Sequence, residues 1–351
     1  MLTITFQCDK ISYIKTKGER VMNKTVKNIK VPTGNICIMK GDLGELEYLS
    51  IGDYGKDKNI KADFLGFTSE LNGVPSGDIE PLEEKWVVTI STQYGCPQKC
   101  VFCDVPKVGF KGNATYSDLK NQILEAINLH PEVKSTKRLN VHYARMGEPT
   151  WNPNIIPFSR DLLKIVRESH LGRVHVHPVF TTMLPSNNKN LFKIINEWCI
   201  DIKNDKFRGE AGLQFSINST DDKQRDEMFK GMSLSLEEIS KIGKYLPTPI
   251  GRKYALNFAL ADGYIIDSKR LLELFSPDKF MVKITPIHQT KSTIENGVST
   301  TNGYEYFTPY KEVERKLKGV GFDVLVFIPS KEEDDSCITC GNAILGGSEI
   351  R

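Results

Sequence analysis

No stretch of the chain approaches the roughly 18 consecutive apolar residues needed to cross a bilayer. The opening residues, MLTITFQCDKISYIKTKGER, lack an apolar core followed by a small-residue cleavage site. A soluble cytoplasmic protein with no membrane partner is therefore expected. An excess of one charge is also missing, since 47 Lys and Arg face 44 Asp and Glu for a formal charge of +3. That balance gives no global basic field of the kind that marks a nucleic-acid binder, so any polyanion must be held locally. Cysteine is scarce, with eight in 351 residues, which excludes a disulfide scaffold. There is no internal repeat and no low-complexity tract.

The few cysteines are unevenly spread. Cys96, Cys100 and Cys103 crowd into eight positions, Cys337 and Cys340 lie close to the end, and Cys8, Cys37 and Cys199 stand singly in mixed or apolar surroundings. The first group points to metal, and the last reads as structural thiols without a role.

From Trp86 onward, short β-branched or apolar runs alternate with segments of helical period, the pattern of repeated βα units around a parallel sheet. The predicted strands are Trp86 to Thr92, Leu139 to Arg145, Val174 to Thr182, Gly212 to Ser219, Tyr254 to Ala261, Phe280 to Ile287 and Phe322 to Ile328. Between them, Ile123, Leu124, Ile127 and Leu129 form an apolar stripe behind a cap at Thr115 or Ser117, and Leu162, Leu163, Ile165 and Val166 form another. Such a chain makes an α/β fold, a partial or complete TIM-like (β/α) barrel over residues 86–351. Residues 1–85 read as a small β-rich accessory region, with strand-like pieces at Ile36 to Met39 and Leu46 to Ile51 between Gly-Asp turns. Asn72 to Pro81, with Gly73, Pro75 and Gly77, is the linker candidate.

In Gly95-Cys96-Pro97-Gln98-Lys99-Cys100-Val101-Phe102-Cys103 the thiols are separated by gaps of three and two residues, directly after a predicted strand. Such a loop wraps three irons of a 4Fe-4S cubane and leaves the fourth without a protein ligand. S-adenosylmethionine (SAM) chelates an iron left open in this way through its amino and carboxylate groups, and the reduced cluster cleaves it to a 5′-deoxyadenosyl radical. The other reading of the spacing is a zinc knuckle completed by a remote Cys or one of the six His.

After the next predicted strand come Arg145-Met146-Gly147-Glu148-Pro149, at the barrel end where active sites lie. Gly147 allows close backbone approach, and Glu148 can accept from the SAM ammonium. By itself Gly-Glu-Pro is a common turn. Thr181, Ser216, Asn218 and His288 carry hydroxyl, amide or imidazole groups to later strand ends, suited to a ribose and a carboxylate. His175 and His177 alternate with apolar neighbours and read as packing.

Taken in order, these motifs resemble the radical SAM adenine methyltransferases of the RlmN and Cfr type. The resemblance runs from Trp86 to Cys340: Ser91 to Cys96, Gly109-Phe110 with Asn113, Gly147-Glu148-Pro149 with Pro157, Phe215 to Asn218, Arg225-Asp226 and Cys340-Gly341. It implies a barrel of the radical SAM type and SAM contacts at Gly147, Glu148, Thr181, Ser216, Asn218 and His288. It also implies an rRNA or tRNA substrate and a flavodoxin- or ferredoxin-type electron donor. Cys340 resembles the family's methyl carrier, a thiolate methylated by one SAM whose thioether C–H is then cleaved by the radical from a second.

The chain departs from the family at three places. Thr89 stands where the family has a second cysteine that releases the RNA adduct, which leaves Cys337 as the nearby candidate thiol. His288 stands where the family has Asn. The first 85 residues read as β-rich where the family has a helical RNA-binding domain. The function expected is a radical SAM methyltransferase acting on an adenine-like base in RNA. The alternative is the same scaffold turning its radical on another substrate, a nucleotide or a peptide, without two-cysteine methyl transfer.

Overall fold

A computed structural model describes residues 24–53, 60–62, 80–172, 174–300, 308–329, 331–340 and 343–345. Cys8, Gly341 and most of the linker expected at 72–81 lie outside them. The strands in chain order are β1 (Thr25–Val31), β2 (Gly34–Gly41), β3 (Gly44–Ile51), β4 (Ile60–Ala62), β5 (Trp86–Ile90), β6 (Gln93–Tyr94), β7 (Gly112–Asn113), β8 (Thr136–Tyr143), β9 (Val174–Thr182), β10 (Gly212–Ser216), β11 (Tyr254–Leu260), β12 (Phe280–Pro286) and β13 (Val324–Ile328). The helices are α1 (Tyr116–Asn128), α2 (Ile155–Arg167), α3 (Leu191–Glu197), α4 (Asp222–Phe229), α5 (Leu236–Tyr245), α6 (Ser268–Leu274), α7 (Lys291–Glu295), α8 (Thr308–Gly319) and α9 (Lys331–Asp335).

All seven predicted strands form, and they lie side by side in the order β5-β8-β9-β10-β11-β12-β13, every neighbouring pair parallel. At one edge β3, β2 and β1 continue the sheet antiparallel; at the other β4 pairs antiparallel with β13. Strands β1 and β4 do not pair with each other, so among the described residues the sheet is an open, partial barrel. The N-terminal β-rich region is thus hydrogen-bonded to the barrel sheet itself, through Leu49 opposite Thr89 and Ile51 opposite Val87.

Burial follows the pleat. Trp86, Val88 and Ile90 of β5, Val282 and Ile284 of β12, and Val324, Val326 and Ile328 of β13 are buried on the face that the helices cover. Against them α1 brings Leu119, Ile123, Leu124 and Ile127, and α2 brings Leu162, Ile165 and Val166. Each such side chain contributes about 1.5–3 kcal/mol on burial. Helix α1 starts where the sequence places it: Thr115 Oγ1 accepts from the Asp118 backbone N–H (3.1 Å), and the Asp118 carboxylate accepts from the Thr115 N–H (2.9 Å). Cys37 and Cys199 are fully buried in this core, and His177 is buried beside Glu210.

The opposite face of the strands is polar, carrying Thr89, His142, Gln214, Asn257 and Lys283. The Lys283 ammonium sits 5.7 Å from the centre of the Phe327 ring. Burial, followed by repulsion from Arg252 and Lys85, lowers its pKa to about 8. Because its folded pKa lies below its unfolded one, the charge destabilises the fold at pH 7, and the cost disappears as pH rises from about 8 past the ordinary lysine value of 10.5. Lys283→Met is expected to raise stability at pH 7 by about 1–3 kcal/mol. The gain should vanish near pH 11 in paired thermal melts; a gain that does not depend on pH would contradict this cause. Among the described residues no helix is long and apolar enough to cross a membrane.

Candidate active site

Strand β5 ends at Ile90 because the chain there turns towards the neighbouring strand end. The N–H groups of Thr92 and Gln93 both donate to the Met146 carbonyl (2.7 and 3.2 Å), and the Asn152 amide donates to the carbonyls of Thr92 (2.7 Å) and Ala114 (2.8 Å). Strands β6 and β7 then pair, Gln93 with Asn113 and Tyr94 with Gly112, so the cysteine segment is an excursion pinched between two short strands. The neck of this loop requires glycine: Gly95 has φ +76°, and a Cβ there would stand 1.6 Å from the Gly109 carbonyl oxygen.

The loop is anchored from several sides. Asp104 accepts from the N–H groups of Lys291 (3.1 Å) and Ser292 (2.8 Å) and from the Ser292 hydroxyl (2.6 Å) at the start of α7. Phe102 meets Phe229 edge to face at 5.7 Å, and Cys100 and Phe102 pack on Met183, Met228 and Phe229. Cys96, Cys100 and Cys103 are free thiols, each partly buried. Burial pushes Cys96 and Cys103 up to about 12 and Cys100 well above its ordinary value. Cys96 and Cys103 also raise Cys100, and Glu148 raises both Cys96 and Cys100. Among the described residues no three His, Cys, Asp or Glu side chains converge as a metal centre.

Gly147 and Glu148 follow β8 at the same end of the sheet. Gly147 has φ +96°, and a Cβ there would stand 2.5 Å from the Gln93 Cβ, so this turn lies directly against the strand leading into the cysteine loop. The Gln93 side chain accepts from the Glu148 N–H (2.8 Å) and donates to Asn113 (2.7 Å). The Glu148 carboxylate is buried: Oε1 accepts from the N–H (3.1 Å) and hydroxyl (2.8 Å) of Thr150, and Oε2 accepts from the Met183 N–H (2.9 Å). Burial raises its pKa, against the opposing pull of these bonds. Glu148→Ala would leave buried donors on Thr150 and Met183 unpaired, and we expect a loss of about 2–4 kcal/mol in urea unfolding. Unchanged stability would mean that these contacts do not form.

The remaining predicted positions lie on the same rim with protein partners. Thr181, near the end of β9, donates to the Gln214 side chain at 3.3 Å. Ser216 ends β10, and its carbonyl accepts from Arg225 at 3.1 Å. Asn218 has φ +60°, and its side-chain carbonyl accepts from the Ala259 N–H at 3.0 Å. His288 Nδ1 lies 2.9 Å from Asp334 Oδ1, which turns the imidazole to the C-terminal segment.

That segment carries the two C-terminal cysteines. The Cys340 thiol is raised well above its ordinary value, first by burial and next by the charge of Cys103, while Arg145 pulls the other way. Cys337, with φ +57°, is also raised, mainly by burial. The Ile338 side chain, 4 % exposed, packs among Ile36, Ile38, Leu49 and Ile51 on the N-terminal strands. Glu47, which sequence reading missed, and Arg145, noted there only as part of the Arg145 to Pro149 motif, form a fully buried ion pair beneath this segment. Arg145 donates to the Ile338 carbonyl (3.1 Å), and Glu47 accepts from the Ile344 N–H (3.2 Å). The signal was a charge inside or at the end of a predicted strand: Glu47 within Leu46 to Ile51, and Arg145 at the end of Leu139 to Arg145.

No protein-family model matches the chain. Among curated proteins it is similar to "Probable dual-specificity RNA methyltransferase RlmN" of Thermotoga sp. (strain RQ2), at 26% identity over 212 residues, 59% of this chain and 56% of the relative. It is similar to the protein of the same name from Thermosipho melanesiensis, at 29% identity over 205 residues, 57% of this chain and 54% of the relative. The chain spans about half the length of the curated relatives it matches. Among solved structures, a radical SAM methyltransferase from Sphaerobacter thermophilus superposes with a TM-score of 0.61 at 16% identity, covering 88% of this chain and 78% of that one, a likeness of fold. In sequence over somewhat more than half its length, and in fold over most of it, the chain is thus similar to RlmN-named RNA methyltransferases and to a radical SAM methyltransferase.

Proposed function

We propose that this protein is a radical SAM methyltransferase acting on an adenine-like base in RNA, with Cys340 as the methyl carrier. What supports the reading is that the C-terminal segment carrying Cys340 is tied to the strand ends around the cysteine loop, by Arg145 to the Ile338 carbonyl and by Asp334 to His288 and Gln289. A carrier must stand where the SAM methyl and the radical can both reach it, and a structural tail cysteine has no need to.

Cys96, Cys100 and Cys103 would hold a 4Fe-4S cluster. What supports this is the donor set: three thiols on one loop, with no disulfide among them, kept protonated chiefly by burial. A bound cation relieves that burial cost by taking thiolates. The cluster, when bound, supplies the electron that cleaves SAM. Gly147, Glu148, Thr181, Ser216, Asn218 and His288 would line the SAM site, with the backbone around Gly147 close to the ligand and the buried Glu148 holding the rim in shape. A flavodoxin- or ferredoxin-type protein would deliver the electron.

Thr89 lies within β5, opposite His142, and carries a hydroxyl where the family has its second thiol. Release of the product would then fall to Cys337, three residues before Cys340. The test is mass spectrometry of the iron-loaded protein after incubation with SAM under reducing, anaerobic conditions. We expect a methyl group on Cys340 and methylated adenine in added rRNA or tRNA. SAM cleavage without methyl on Cys340 would overturn the reading in favour of a different radical reaction on the same scaffold.

A further inference from the structure

We propose that Arg145 and Asp334 are positioning residues that clamp the Cys337–Cys340 segment from two sides and so set where the Cys340 thiol stands. The inference rests on the reading of Cys340 as carrier for its purpose, but its geometry is independent of that reading.

Asp334, at the end of α9, is the clamp on one side. Its Oδ1 lies 2.9 Å from His288 Nδ1 and accepts from the Thr339 hydroxyl at 3.0 Å, and its Oδ2 accepts from the Gln289 N–H at 3.2 Å. One carboxylate therefore joins the rim after β12 to the residue next to Cys340. On the other side Arg145, at the end of β8, donates to the Ile338 carbonyl while held by Glu47 of β3. Glu47 in turn accepts from the Ile344 N–H, so the pair grips the segment before and after Cys340.

Several features separate a clamp from incidental contact. The segment has little regular structure of its own: a short helix, then a turn through Cys337 in the left-handed region, a conformation that costs a non-glycine residue energy. It therefore depends on outside partners for its path. Those partners come from β3, β8 and the end of β12, elements far apart in sequence. Arg145 also directly precedes the Met146-Gly147-Glu148 turn whose Met146 carbonyl fixes the start of the cysteine loop. Displacement of this one strand end would shift the thiol and the loop together, which keeps their separation constant. Positioning of this kind matters because small misplacement of a reacting group has a large effect on rate.

The test compares the full-length, iron-loaded wild type with Asp334→Ala, Arg145→Met and the double variant Glu47→Leu/Arg145→Met, the last guarding against simple unfolding of the single Arg145 variant. N-ethylmaleimide labelling of Cys340 is followed by peptide mass spectrometry under anaerobic conditions, with the core thiol Cys199 as the folding control. Labelling of Cys340 is expected to rise about tenfold in each folded variant, as loss of the holding hydrogen bonds increases the open population. Cys199 should stay protected. Methyl incorporation at Cys340 should fall in parallel, and Asp334→Glu should restore part of both signals. Equal Cys340 labelling in wild type and folded variants overturns the clamp. If the wild type never acquires a methyl group, the methyl-carrier reading fails, and the labelling still decides the clamp by itself.

Discussion

Replacing any one of Cys96, Cys100 or Cys103 by alanine is expected to abolish iron loading and reductive SAM cleavage together, whereas Cys340→Ala keeps the iron. The loop that carries the three thiols is pinched at Gly95 against Gly109 and pinned at Asp104 to α7, so it has little freedom to recruit a substitute ligand. With two thiolates left, a cubane loses one of three anchors and becomes labile. Outside the loop, Cys340 is a thiol whose pKa a loop cysteine, Cys103, raises. It therefore separates two chemistries. A zinc site closed by four thiolates would lose its metal on Cys340→Ala as it does on loss of a loop cysteine. A cluster with an open iron would not. Iron and sulfide content, with 5′-deoxyadenosine release, provides the measurement, and full metal content in any of the three loop variants would sink the ligand assignment.

The parts of this architecture that were legible in the sequence are those fixed by local physics. Alternating burial in β5 and β13 can be read from the residues themselves. So can the capping box at Thr115, because its partners lie three residues apart. Boundaries were less legible. Strand β8 starts at Thr136 rather than Leu139, since Thr136 finds a partner in Val174 across an irregular step in the register. Strand β5 stops at Ile90 because Thr92 and Gln93 turn to the Met146 carbonyl, which no periodicity could indicate. Of the site, the cysteine spacing and the Gly-Glu-Pro turn were visible as motifs. The partners of Glu148, Asn218 and His288 were not, for each is engaged by a group brought from another element far along the chain. The Glu47–Arg145 pair joins residues 98 apart and supports a segment 193 residues beyond Arg145, a relation set entirely by tertiary packing.

That pair leads to the other large expected effect. Glu47→Leu or Arg145→Met alone should cost about 3–5 kcal/mol in urea unfolding, because each leaves a charge buried without its partner. Both side chains are only 1% exposed, so water cannot take the place of the missing group. Removing both charges together should behave differently. The attraction between two buried charges is largely offset by the desolvation of each, and a pair of well-packed apolar residues often matches or exceeds it. Glu47→Leu/Arg145→Met is therefore expected to recover most of the loss from either single change, with a coupling energy of about 2–4 kcal/mol in the double-mutant cycle. Additive losses, with the double variant the least stable of the set, would show that the two side chains act separately and that no buried pair holds the fold here. The hydrogen bonds to Ile338 and Ile344 vanish in the double variant whatever happens to global stability, since neither Leu nor Met can donate to a carbonyl or accept from an amide. A protein as stable as the wild type but with a released C-terminal segment is thus the expected product. Such a product would separate what the pair does for folding from what it does for the position of Cys340.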